Sequence, residues 1–164
     1  MSNVVYLSLG SNLGDREEQL RRAISRLAAH GLVLSVSSFY ESEPVEVSDQ
    51  PWFVNCAVAF ETSEPAEQLM SAMLGIERQM GRERIQKKGP RTVDIDVLLY
   101  GDLVVNTVEL RVPHPAMAQR RFVLEPLAEI AADVRHPVAK KTVRELLEEL
   151  PAGQSVRRLK PKGE

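Results

Sequence analysis

The chain has 164 residues, 43% of them hydrophobic, with 21 basic against 23 acidic side chains and a formal net charge of -2. That length makes one domain, or a domain with a small extension, and the charge balance gives no global pull towards nucleic acid or an anionic membrane. A single cysteine, Cys56, excludes an intrachain disulfide framework and fits a reducing compartment.

Cys56 sits in Val54-Asn55-Cys56-Ala57-Val58 and reads as a buried small hydrophobe rather than a nucleophile. The N-terminus lacks a positive region followed by an apolar run, and no apolar run approaches the roughly 18 residues of a membrane span. The expectation is a soluble cytoplasmic protein with no membrane and no nucleic-acid partner.

In chain order, Val4 to Leu9 reads as a buried first strand, closed by the turn residues Gly10-Ser11-Asn12-Leu13-Gly14. That glycine spacing matches neither the P-loop nor the dinucleotide fingerprint, so a structural turn is preferred to a phosphate loop. Asp15, with Glu18 three residues on, caps a helix whose inner face is Leu20, Ile24 and Leu27, ending near Gly31. Leu32 to Phe39 is a second strand, Glu41 to Pro51 a polar loop, and Trp52 to Phe60 a third strand. Ser63 caps a second helix with Pro65 in its first turn; Ala66, Leu69, Met73, Ile76 and Met80 form its stripe and Gly81 stops it.

Residues 82 to 91 form a basic loop. With Arg78, that region carries Arg82, Arg84, Lys87, Lys88 and Arg91 against the single intervening acid Glu83. The stretch Gly89 to Tyr100 then opens as a turn and becomes a strand. Its Asp94 and Asp96 are two apart, so a strand points both to one side, about 7 Å apart at Cα. Spacing alone leaves a solvated strand face open as the alternative. Paired acids beside an apolar run are costly unless something positive sits between them, and oxygen donors suit a hard cation such as magnesium. A cation on two aspartates beside a basic loop is what a polyphosphate substrate needs.

Beyond Gly101-Asp102, a small hairpin is expected around Asn106-Thr107, then a break at Pro113-His114-Pro115 and a short helix from Met117 to Phe122. The apolar run Phe122 to Ile130 should pack back onto the body. Thr142 with Glu145 is a capping box for a last helix facing inward through Val143, Leu146, Leu147 and Leu150. The basic tail, Arg157 to Lys162, is expected to be solvated, with Val156 and Leu159 able to tie part of it to a sheet edge. The order defines an α+β sandwich with a ferredoxin-like β-α-β-β-α-β core and C-terminal additions. Both core helices would cover one sheet face and leave the other for loops and ligands.

Four stretches together resemble the 6-hydroxymethyl-7,8-dihydropterin pyrophosphokinase family: Leu9 to Gly14, Ser37-Ser38-Phe39-Tyr40, Gly89 to Asp96, and Val112-Pro113-His114. The third is the specific one. The resemblance runs over about residues 3 to 150 and implies a single domain, a ferredoxin-like fold and, usually, a monomer. It implies transfer of pyrophosphate from ATP to the pterin hydroxymethyl group, giving AMP and the pterin diphosphate, with two magnesium ions as cofactor.

By that resemblance Asp94 and Asp96 are the metal ligands, and Arg82 and Arg91 contact or organise the ATP phosphates. Arg84 and Arg120 fall at family arginine positions on the nucleotide side. His114 matches a histidine that hydrogen-bonds phosphate, and Glu77 an acid lining the nucleotide site. Phe53 and Phe122 match the two aromatic positions that sandwich the pterin, Asn55 its polar edge contact, and Ser42 and Val45 part of its pocket. The chain departs from some members in carrying Lys88 rather than tryptophan before Gly89, in a shorter loop with Ile85 where a lysine can occur, and in Phe53 where a tyrosine can occur. Against this stand two other classes. A nucleic-acid module on an open sheet face would give the acid pair no task, and a catalytically dead structural protein would lose metal binding.

Overall fold

The structure is a computed structural model that describes residues 2–44, 51–81 and 92–160. Its central sheet is built on two long strands, β1 (Asn3–Ser11) and β4 (Phe53–Thr62), paired antiparallel from Asn3↔Thr62 to Ser11↔Val54. β5 (Asp94–Tyr100) lies antiparallel on the other side of β1. Along the far edge of β4 lie β2 (Leu32–Val36) and β3 (Tyr40–Ser42), and a last strand, β8 (Val156–Arg158), adds to β3. The order β5-β1-β4-β3-β8, with β2 also on β4, is the expected ferredoxin-like core extended by one strand.

The second strand is shorter than expected. It ends at Val36 because Ser37 interrupts the ladder: its hydroxyl accepts from the Ala57 N–H at 2.8 Å while its own N–H donates to the Ala57 carbonyl at 2.9 Å. Ser38 turns its N–H to the Glu129 carboxylate, 2.9 Å away. Pairing with β4 resumes at Tyr40, so Glu41 and Ser42 are strand residues and not the start of a loop. The first strand is longer than expected. Gly10 and Ser11 belong to β1, and the turn begins at Asn12 and includes Gly14 at φ 66.

Helices α1 (Arg16–Leu27) and α2 (Ala66–Gly81) cover one face. Asp15 caps α1, accepting from the Glu18 N–H at 3.1 Å. Leu20, Ala23 and Leu27 of α1 and Leu69, Met73 and Ile76 of α2 are buried on Leu7, Leu9, Val58, Phe60 and Val97 of the sheet. Each large side chain so buried contributes about 1.5–3 kcal/mol against its exposed state. Cys56 lies in this layer, and burial pushes its thiol up to about 12, so it behaves as the small hydrophobe expected.

The opposite face is not left open. After the hairpin of β6 (Val105–Asn106) and β7 (Arg111–Val112) and a 3-10 turn at Met117–Gln119, α3 (Arg121–Ala131) packs Val123, Leu124 and Leu127 onto Ala57, Leu98 and Leu99. α4 (Val143–Glu148), with the expected capping box at Thr142 and Glu145, adds Val143 and Leu146 to that layer. The expectation of one bare sheet face is therefore corrected. The apolar faces of the C-terminal helices need burial and find it there, beside polar strand residues that gather where β5 and β4 begin. Among the described residues no helix is long and apolar enough to cross a membrane.

Candidate active site

Gly10 of β1 stands at the middle of the site. It pairs with Asn55 of β4 on one side and Asp94 of β5 on the other. Residues directly opposite in an antiparallel sheet share a face, so Asp94, Gly10 and Asn55 form one row, and Asn55 pairs onward with Tyr40. One step along, Asp96, Ser8 and Ala57 form the next row on the same face. The expected placement of Asp94 and Asp96 on one side of a strand is therefore met, with Ile95 and Val97 buried on the reverse. Both aspartates are half-buried.

Two neighbours fix this end of β5. Glu77 on α2 accepts the Ile95 N–H at 2.6 Å, so the acid between the helix and the strand holds the backbone from which both aspartates project. On the other flank, β5 carries one extra residue, Leu98, between the pairs Leu7↔Val97 and Tyr6↔Leu99. This bulge presents the Leu98 carbonyl, which accepts the His114 N–H at 2.9 Å. The His114 ring then lies beside the acid pair, its Nε2 3.9 Å from Asp96 Oδ1. Nδ1 accepts the Ala116 N–H at 3.1 Å, so the neutral ring carries its proton on Nε2. Burial holds the imidazole below its ordinary pKa; the Asp96 carboxylate pulls it up and the Arg120 guanidinium pushes it down again. With Nδ1 taken by the Ala116 N–H, the ring presents Nε2 towards Asp96.

On the other side of Gly10 the described β3 and β4 residues at this end of the site face are uncharged. Asn55 and Ser42 are both buried, and the Asn55 amide donates to Ser42 Oγ at 2.6 Å. That bond directs Nδ2 to β3 and leaves Oδ1 over Gly10, where a Cβ would meet it at 2.9 Å. Phe53, two residues earlier on the same face, is half-buried. Phe122 lies in the first turn of α3, half-buried, with the Arg120 guanidinium 5.5 Å from its ring centroid. Trp52, just before β4, is 39% exposed.

Asp94, Asp96, Glu77 and His114 are thus brought together around β5, and Ser42, Phe53 and Asn55 around the start of β4. Arg120 joins His114 to Phe122 between the two groups. Val45, Arg82, Arg84 and Arg91, with Lys87 and Lys88, lie outside the described residues. The sequence reading missed three members. Gly10 reads as a turn residue, although a glycine inside an apolar strand pattern signals close approach of another group. Asn12 donates to the Pro51 carbonyl at 3.3 Å. Glu129 on α3 gathers the Ser38 and Tyr40 hydroxyls at 3.1 and 2.8 Å, a long-range contact with no local signature. His30, which pairs with Glu64 at 3.3 Å, and His136, in a loop, stand apart from the site as expected.

A ferredoxin-like sheet with an acid pair on one strand and a buried amide across a glycine sets the class: an α+β fold whose candidate site lies at one end of the sheet. Residues 6–132 match the family described as 7,8-dihydro-6-hydroxymethylpterin-pyrophosphokinase (HPPK). The chain belongs to that family. It is 46% identical over 136 residues to the 2-amino-4-hydroxy-6-hydroxymethyldihydropteridine pyrophosphokinase of Bacillus subtilis, covering 82% of this chain and 81% of that one. The Aquifex aeolicus protein of the same name is 39% identical over 141 residues, 86% and 88% of the two chains. The folic acid synthesis protein fol1 of Pneumocystis carinii is 39% identical over 150 residues, but this chain spans only 20% of its length. A crystal structure of Plasmodium falciparum HPPK-DHPS shares the fold, with a TM-score of 0.72 at 16% identity over 91% of this chain and 45% of that one.

Proposed function

We propose that the chain transfers pyrophosphate from ATP to 6-hydroxymethyl-7,8-dihydropterin in a magnesium-dependent reaction of folate synthesis. The observation that carries this is the row Asp94–Gly10–Asn55, which sets one member of the acid pair across a glycine from a buried amide suited to a heterocycle edge. The donor set fits magnesium carried by its substrate. Among the described residues no three His, Cys, Asp or Glu side chains gather as a cage, and magnesium at phosphate sites takes one or two carboxylates and leaves its other positions to phosphate and water. Asp94 and Asp96 would hold it. When bound, magnesium would neutralise charge on the nucleotide's phosphates and polarise the phosphorus to be attacked.

The chain's own groups then orient two substrates. Asn55 Oδ1, fixed by Ser42, accepts a ring N–H of the pterin, and Phe53 and Phe122 offer ring faces to its plane. His114 Nε2–H donates to a phosphate oxygen beside Asp96, and Arg120, with Arg82, Arg84 and Arg91, supplies fixed cationic forks for the phosphates. The pterin alcohol oxygen bonds to the β-phosphorus and gives its proton to water, as the bond from that phosphorus to the oxygen bridging the α-phosphate breaks. AMP leaves with the electron pair. Positioning and charge stabilisation carry most of such a transfer. A monomer working in the cytoplasm belongs to the same proposal.

The test is the nucleotide product, resolved by chromatography with and without the hydroxymethyl pterin. AMP that appears only with the pterin supports the reading; ADP, or AMP without pterin, overturns it. Asp94→Ala and Asp96→Ala should each lose on the order of a hundred- to a thousandfold in rate, with an unchanged circular dichroism spectrum.

A further inference from the structure

The residues that match the family end at 132, yet the chain returns to the pterin side of the sheet beyond that point. β8 pairs with β3 in the register Tyr40↔Arg158, Glu41↔Arg157 and Ser42↔Val156. β3 has three residues, and its other neighbour is β4 at Phe53, Val54 and Asn55. So short a strand cannot fix its own position through backbone bonds alone. Its side chains are anchored on both faces. On the site face the Tyr40 hydroxyl donates to Glu129 of α3.

On the reverse face Glu41 is the hub. Its side chain, 13% exposed, bridges Arg16 at the start of α1, 2.9 Å away, and Arg157 of β8. Burial works to raise the Glu41 pKa, and the hydrogen bonds and charges of the two arginines together hold it below the usual carboxylate value. The same Arg16 nitrogen donates to the Trp52 carbonyl at 2.7 Å, the peptide that leads into Phe53. β8 is doubled by its neighbours: the Ser155 N–H donates to Glu43 Oε1 at 2.8 Å, the Glu43 N–H to the Ser155 carbonyl at 3.2 Å, and Gln154 Nε2 to the Glu43 carbonyl at 2.9 Å. The residue before Ser42 and the peptide before Phe53 are therefore tied together through Glu41 and Arg16, and Ser42 in turn orients the Asn55 amide.

We infer that Glu41 is a positioning residue for the pterin-side pocket, with Arg16 and the C-terminal Arg157 as its struts. The inference rests on the functional reading above. Its effect is on substrate geometry more than on folding. Arg157 is 71% exposed in its side chain, and such a pair contributes little to global stability. A small displacement of β3 nonetheless moves Ser42 Oγ from the Asn55 amide, and orientation losses of this kind are felt in binding.

The experiment uses the full chain and steady-state kinetics with each substrate varied in turn. Glu41→Gln and Arg157→Ala should raise KM for the hydroxymethyl pterin about three- to tenfold, with KM for ATP and Tm little changed. Arg157→Lys should recover most of the loss. An unchanged pterin KM in both variants, or equal rises in the two KM values, overturns the inference. If Glu41→Gln also melts early, the exposed Arg157→Ala decides. Wild-type turnover with unaffected variants removes this inference alone, whereas a wild type that makes no pterin-dependent AMP removes the functional reading and this inference together.

Discussion

Gly10 and Asn55 are paired across β1 and β4 so closely that a Cβ at position 10 would stand 2.9 Å from Asn55 Oδ1. The amide cannot swing aside without loss, because its nitrogen is bound to Ser42 in a buried site. Gly10→Ala should therefore displace the amide and raise KM for the pterin about tenfold while costing about 1–3 kcal/mol of stability. Substrate-resolved kinetics with a thermal melt checks both, and an alanine variant with wild-type pterin KM would refute the role given to Asn55.

Gly31 offers the contrasting case, remote from the site. A Cβ there would meet the Glu61 carbonyl and the Phe60 ring, the latter at 2.7 Å. Phe60 is fully buried and the carbonyl belongs to the backbone, so neither yields cheaply. Gly31→Ala should destabilise by about 1–3 kcal/mol or more, visible in the denaturant midpoint. Activity per folded molecule should be unchanged.

His136 makes the loop between α3 and α4 sensitive to pH. Its buried Nδ1 accepts the N–H groups of Val138 and Ala139 at 3.2 and 3.0 Å, which requires an unprotonated nitrogen. Burial depresses its pKa below the ordinary 6.5. A depressed folded value means the contribution is whole above the unfolded pKa and is lost as pH falls through the folded one. Amide exchange at Val138 and Ala139 should accelerate, beyond its intrinsic pH dependence, on going from about pH 7.5 to about pH 5.5. His136→Gln should remove that dependence.

Glu129 should govern part of the acid limb. Burial favours its neutral form, but the Ser38 N–H, the Tyr40 and Ser38 hydroxyls and the Arg158 charge together hold its pKa below the ordinary 4.5. Its stabilisation is therefore present above 4.5 and disappears as pH falls below that value. Glu129→Gln should be less stable than wild type at neutral pH and show a shallower loss of stability on acidification. Urea unfolding at several pH values would measure it; an identical slope in both proteins would refute the assignment.

Much of the fold was legible because it rests on local periodicity. The alternation in β5, the helical stripes of α1 and α2, and the caps at Asp15 and at Thr142 with Glu145 are all written in neighbouring residues. The break between β2 and β3 was not. Ser37 ends pairing through a hydroxyl bonded to Ala57, twenty residues away, and a run of valine and serine does not announce that partner. The covering of the second face is hidden in the sequence for a related reason. The apolar stripe of α3 could be read, and its partner surface of Ala57, Leu98 and Leu99 could not.

The acid pair shows the same division within the site. Its common face follows from a spacing of two, since a strand repeats every second residue, and the β-α-β-β-α-β order of the core follows from patterning. What tertiary structure alone decided is which residues Asp94 and Asp96 face. The register places Gly10 and then Asn55 beside them, a one-residue bulge at Leu98 brings His114 to Asp96, and the last strand returns to brace Glu41. Those relations join segments tens of residues apart, and only the burial of both sheet faces at once selects the single register that makes them.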